Sequence, residues 1–127
     1  MRLRVRTWLV IAALNGALAV ALGAFAAHGL SGRIDSHALG LFETGARYHM
    51  YHALALGLAA LAMQGEAARA ARWSAWSFLI GIVLFAGSLY LLALTGEHAF
   101  VFVTPLGGAA FLTGWIMLAI AATRIKT

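Results

Sequence analysis

The stretch TWLVIAALNGALAVALGAFAAHGLSG, residues Thr7–Gly32, runs for 26 residues without an Asp, Glu, Lys or Arg. About 20 predominantly apolar residues cross a bilayer as a helix. Three further charge-free stretches follow, Tyr48–Gly65, Trp73–Gly96 and His98–Thr123, of 18, 24 and 26 residues. In a chain of 127 residues they leave room for little besides four spans and their connections. The hydrocarbon core offers backbone N–H and C=O groups no water, so each span must be helical and satisfy them internally. The expected fold is therefore all-α: an integral membrane four-helix up-down bundle. A single transmembrane domain covers 1–127, with spans near 7–28, 45–64, 73–95 and 102–123.

Composition agrees. Hydrophobic residues make up 63% and charged residues 10%, whereas about a quarter of a soluble domain is charged. The net charge of +5 is no nucleic-acid signal, because the cations are parcelled between spans instead of gathered on one face. Arg2, Arg4, Arg6, Arg69, Arg72, Arg124 and Lys126 share one predicted side, and only Arg33 and Arg47 belong to the first connection. Short Lys/Arg-rich loops stay cytoplasmic. Both termini are thus expected inside a bacterial inner membrane, with the first and third connections outside. Arg-rich residues 2–6, an apolar run and Ala24-Phe25-Ala26 also imitate a secretory signal. The apolar run is long for one, and a retained first span is expected. Without Cys, neither a disulfide nor a thiolate metal site is available.

Along the first span, small residues recur at Ala12, Gly16, Ala19, Gly23 and Ala27, which suits close helix packing in lipid. Trp8 is read as an interface anchor, and Asn15 as an amide in need of an interhelical partner. His49–Met63 is only 15 residues, about 22 Å of helix, so the second span must begin near Gly45 or earlier. The preceding residues 36–46 read as an interfacial helix or a protruding first turn. There Ser36 is a possible N-cap, and Glu43 and Arg47 form a favourable i,i+4 pair. Thr104-Pro105 suits the first turn of the fourth span. Gly107, Gly108, Ala110 and Gly114 give that span a small-residue face.

All five histidines, His28, His37, His49, His52 and His98, fall in the predicted outer half, together with Glu43, Tyr48, Tyr51 and Tyr90. His49 and His52 share a helix face at i,i+3, and His28 lies near the same level on the neighbouring span. His28, His49, His52 and Glu43 are therefore metal-ligand candidates of types suited to zinc, copper or iron, and facing histidines suit haem. The competing reading is structural hydrogen bonding, and a proton or pH-sensing role is a third. No nucleophile–base–acid set assembles, and Ser88 reads as a packing or back-bonding serine.

The segments Gly23-Ala-Phe-Ala-Ala-His28 and Phe42-Glu-Thr-Gly-Ala-Arg-Tyr-His-Met-Tyr-His52 resemble hallmark segments of the YgdD/YwdK-like family (domain of unknown function 423). So do Leu84-Phe-Ala-Gly-Ser-Leu-Tyr90, Thr104-Pro-Leu-Gly-Gly108 and Gly114-Trp115. Ala26 departs from the pattern, replacing a usual glycine with another small residue. The resemblance implies a four-span inner-membrane protein and supplies no substrate, cofactor or catalytic residue. It draws attention to His28, Arg47, Tyr48, His52, Ser88, Tyr90, Thr104 and Pro105, which stand in its motif segments.

Three functional readings follow. The leading one is a non-enzymatic bundle whose partners are the lipid bilayer and a second copy or another membrane protein. The second is a metal- or haem-binding protein using the His/Tyr/Glu cluster. The third is an oligomeric channel or transporter, although no Asp, Glu, Lys or Arg within the spans lines an ion path.

Overall fold

The computed structural model describes the backbone of residues 2–127 and the side chains of residues 4–127. The side chain of Arg2, counted above among the cations, lies outside the described residues. The chain is all-α: α1 (Arg2–Phe25), α2 (Ser36–Leu61), α3 (Ala68–Gly81), α4 (Gly87–Thr95) and α5 (Thr104–Thr123). A π-helical turn, Ala26–Leu30, extends α1, and a second, Ile82–Ala86, joins α3 and α4 into one rod.

Three stretches are long and apolar enough to cross a membrane: Arg4–Leu30, Gly65–Thr95 and His98–Thr123. The second span expected from the sequence does not reach that measure on composition. Its helix, α2, has 26 residues, about 39 Å of length. Glu43, Arg47 and its histidines dilute its apolar character.

Residues Ser36–Ala46 form the first part of this unbroken α2. Its N-cap is Asp35 and not Ser36: the carboxylate accepts from the Ala38 N–H at 2.7 Å. That satisfies one of the donors a helix start leaves orphaned. The expected Glu43–Arg47 pairing is also replaced, as Arg47 Nη2 donates to Thr44 Oγ1 at 3.2 Å. At the far end of α4, Gly96 adopts φ +71°, the left-handed conformation that ends a helix without Cβ strain.

Successive rods run antiparallel in their pairings. On α1 and α2, Ala12 lies by Gly57, and Asn15 by His49. On α2 and the α3–α4 rod, Gly45 faces Tyr90, Tyr48 faces Phe85, and His52 faces Phe78. On the rod and α5, Ser74 meets Gly114, Gly81 meets Phe111, and Ser88 meets Thr104.

The interior is built of small side chains. Among the described residues, sixteen alanines stand among the 25 buried apolar residues, while Leu14, Val20, Leu54, Val83, Leu112 and Ile116 are exposed. Large aliphatics outside and alanine inside invert a soluble protein and suit a lipid solvent, where close backbone approach drives packing. Trp8, expected to anchor at an interface, is instead buried, edge-on to Trp76 at 5.1 Å.

The bundle has two distinct ends. Arg4 and Arg72 line one cavity with Met63, and Ile125 packs near the same cluster, which defines a basic end. The other end, here the histidine end, gathers Leu30, Ile34, Phe42 and Ala93 beneath the first turn.

Candidate functional site

The two buried histidines of α2, His49 and His52, each centre a hydrogen-bonded set that reaches other helices. One turn of helix separates them, because His49 and His52 are i,i+3 and point to opposite neighbours.

His49 is buried and joins α1, α2 and α4. Its Nε2 lies 2.9 Å from Asn15 Oδ1, and its Nδ1 lies 2.9 Å from the Tyr90 hydroxyl. Asn15 Nδ2 donates to the Ile11 carbonyl at 2.9 Å, which orients the amide so that Oδ1 faces the imidazole. An amide oxygen only accepts, so His49 Nε2 carries the proton. In the neutral ring Nδ1 then accepts from Tyr90 O–H. The interhelical partner that Asn15 requires is therefore His49.

His52 is buried too and joins α2 to α5. Its Nδ1 lies 2.7 Å from the Tyr48 carbonyl and must donate to it. Its Nε2 accepts from Trp115 Nε1 at 3.1 Å. The ring is stacked on Phe111, with centroids 3.5 Å apart and planes 4° apart, and Phe78 lies at 5.7 Å. Trp115 stands 63 residues from His52, and no sequence spacing connects the two.

A third polar set marks the contact of the α3–α4 rod with α5. Ser88 Oγ lies 2.9 Å from the Phe85 carbonyl, to which it donates, and 2.6 Å from Thr104 Oγ1. With the Ser88 proton so used, Thr104 donates its one proton to Ser88 Oγ, and the Phe100 carbonyl at 3.2 Å is the alternative acceptor for it. The π-helical turn ends at Ala86, and Ser88, two residues on, back-bonds to the Phe85 carbonyl within it. A Cβ on Gly107 would lie 2.3 Å from the Phe85 nitrogen, so the two backbones touch here. Pro105 occupies the first turn of α5, where a missing N–H costs little.

His28 and Glu43, the remaining proposed ligands, are exposed, as are His37 and His98. His28 makes no hydrogen bond to His49 or His52. Among the described residues no three His, Cys, Asp or Glu are grouped to hold a metal ion. Among them, too, no buried side-chain nitrogen or oxygen lacks a partner. Each ring nitrogen of His49 and His52 is thus committed to another helix or to its own backbone.

Beside His52 the bundle opens laterally. A cavity of about 730 Å³ lies between α2 and α5, lined by Tyr48, Tyr51, His52, Phe85, Leu112 and Trp115 among others. A second, of about 490 Å³, adjoins it toward the histidine end and includes His37, Leu41, Leu92, Val101 and Thr104. The two share Phe85, Pro105 and Gly108 and form one groove.

Apolar exteriors, alanine-rich contacts and an interior of satisfied polar bonds define an α-helical membrane protein. The chain belongs to the family described as "Protein of unknown function (DUF423)", whose model matches residues 22–108. It is 44% identical over 120 residues to the UPF0382 membrane protein YwdK of Bacillus subtilis, covering 94% of this chain and 98% of that one. It is 46% identical over 120 residues to a UPF0382 membrane protein of Haemophilus influenzae, with 94% and 96% covered. It is also 43% identical over 121 residues to the UPF0382 inner membrane protein YgdD of Escherichia coli, with 95% and 92% covered. No solved structure matches the chain.

Proposed function

We propose that this protein is a non-enzymatic four-span up-down bundle of the bacterial inner membrane that works by associating with a second copy or another membrane protein. The observation that carries this reading is the committed interior. His49 and His52 spend both ring nitrogens on hydrogen bonds within the chain, and among the described residues no buried side-chain nitrogen or oxygen is left without a partner. Nearly all remaining surface is helix exterior, so a role in the membrane falls to surfaces and partners.

The antiparallel pairings support α2 as a further span beside the other three. In that arrangement the basic end, with Arg4, Arg72 and the C-terminal Arg124 and Lys126, faces the cytoplasm, as Lys/Arg-rich segments do. The histidine end then faces outward. The names of the Escherichia coli relatives support the inner membrane.

Crosslinking in native membranes tests the association, with the tagged full-length chain recovered and its adducts sized. A discrete dimer or a stoichiometric second membrane protein is expected. Monomer alone, with nothing co-purifying, would refute it.

A further inference from the structure

Helix α2 carries Glu43 and Arg47 and no other Asp, Glu, Lys or Arg. The two lie at i,i+4 on one face, and both are exposed. From Leu61, where α2 ends, to Arg47 is about 21 Å of helix rise, and to Glu43 about 27 Å. Polar residues resume directly beyond that end, at Gln64 and Glu66. Both charges therefore fall within the roughly 30 Å of hydrocarbon that α2 crosses. An ionised side chain at such a depth is costly against lipid and calls for a partner.

The chain itself supplies none. Among the described residues Glu43 makes no hydrogen bond or ion pair, and Arg47 donates only to the uncharged Thr44. Both charges line a hollow of about 250 Å³ between α1 and α2, together with Ala19, Gly23, Ala46 and Met50. No other charged residue lines it. A Cβ on Gly23 would meet nothing within 4 Å, so nothing in the chain fills the hollow there.

The arrangement of charge selects the occupant. Acid and base share one face a single turn apart, so the face is complementary to itself. A partner surface of one sign would neutralise one group and strand the other. In a C2 pair each contact is made twice, residue i on residue j and j on i. Two copies with the same topology are related by an axis along the bilayer normal, and their α2 helices run parallel. Glu43 of each copy then meets Arg47 of the other across about 6 Å of axial offset. A guanidinium reaches that far, as e and g charges do between parallel coiled-coil helices.

We propose that the α1–α2 face at the histidine end is a homodimer interface closed by two reciprocal Glu43–Arg47 ion pairs. Gly23 lies where the two copies approach most closely. The inference rests on the association reading and specifies its partner as a second copy of this chain.

Full-length chains carrying two different tags, co-expressed, crosslinked in native membranes and recovered through one tag, test the pairing. Glu43→Arg sets arginine against arginine and Arg47→Glu sets glutamate against glutamate. Each variant alone should self-associate roughly a hundredfold more weakly. Glu43→Arg co-expressed with Arg47→Glu re-forms both pairs between copies, and association should return to the unaltered level. A chain carrying both substitutions should dimerise as well. An ion pair within one chain could not be restored by mixing chains. If a reversed charge prevents insertion, Glu43→Gln carries the test, with association about tenfold weaker. Unaltered association of Glu43→Gln or of either reversed variant would overturn the proposal, as would mixing inserted reversed variants without restoration. In those cases the unaltered dimer would still uphold the association reading. Recovery of a different membrane protein alone would likewise overturn only the proposal, whereas monomer with nothing co-purifying would refute both.

Discussion

Removing the Tyr90 hydroxyl takes from His49 Nδ1 its only donor while barely changing packing volume. Tyr90→Phe should therefore destabilise the bundle by about 0.6 kcal/mol, with 1.7 as an upper bound, the range for interhelical hydrogen bonds in membranes. Asn15→Leu should cost a similar amount, because His49 Nε2–H then has no acceptor. The two bonds share one imidazole, so the double variant should be less destabilised than the sum of the singles. Unfolding in detergent mixtures, followed by tryptophan fluorescence, measures all three; strict additivity would mean that the bonds act separately. At this scale the sequence was half legible. An amide within an apolar span announces that it needs a partner, but it does not say which one. For His52 even the need was ambiguous, since two histidines at i,i+3 read equally as ligands and as hydrogen-bonding groups.

Helix α5 carries adjacent glycines with opposite consequences. Gly107→Ala drives a methyl into the Phe85 backbone and should cost about 1–3 kcal/mol, the range for overpacking. Gly108→Ala meets open space and should be neutral, or stabilising by up to about 1 kcal/mol through helix propensity. Heat-induced loss of helicity in detergent discriminates the two, and a tolerated Gly107→Ala would show that α5 slides freely on its neighbour. Asp35→Ala should weaken the start of α2 by about 1 kcal/mol, whereas Ser36→Ala should not; hydrogen exchange at the Ala38 amide reads this directly. The sequence placed a cap at this junction but chose Ser36. Asp35 and Ser36 are both good caps by type, and only the backbone turn decides between adjacent residues.

For the molecule as a whole, the absence of native cysteine permits a clean topology test. Ser31→Cys and His98→Cys should react with an impermeant maleimide in intact cells, while Glu66→Cys and Thr127→Cys should react only after lysis. Labelling of Glu66→Cys in intact cells would reverse the orientation, and a protected Ser31→Cys beside a labelled His98→Cys would remove α2 as a span. Helical class and membrane character were determined by the sequence alone. Charge-free length is a one-dimensional property, and in hydrocarbon a backbone of that length has little choice but to form a helix. Its family was legible as well, in motif segments such as Phe42–His52. Only the tertiary structure decided that His49 turns to Asn15 and Tyr90, that His52 turns to Trp115, and that a groove opens beside Gly108. Those outcomes depend on how each helix is rotated about its axis. That rotation is set by contacts such as Gly107 on Phe85 and Gly114 on Phe78, between residues far apart in the chain.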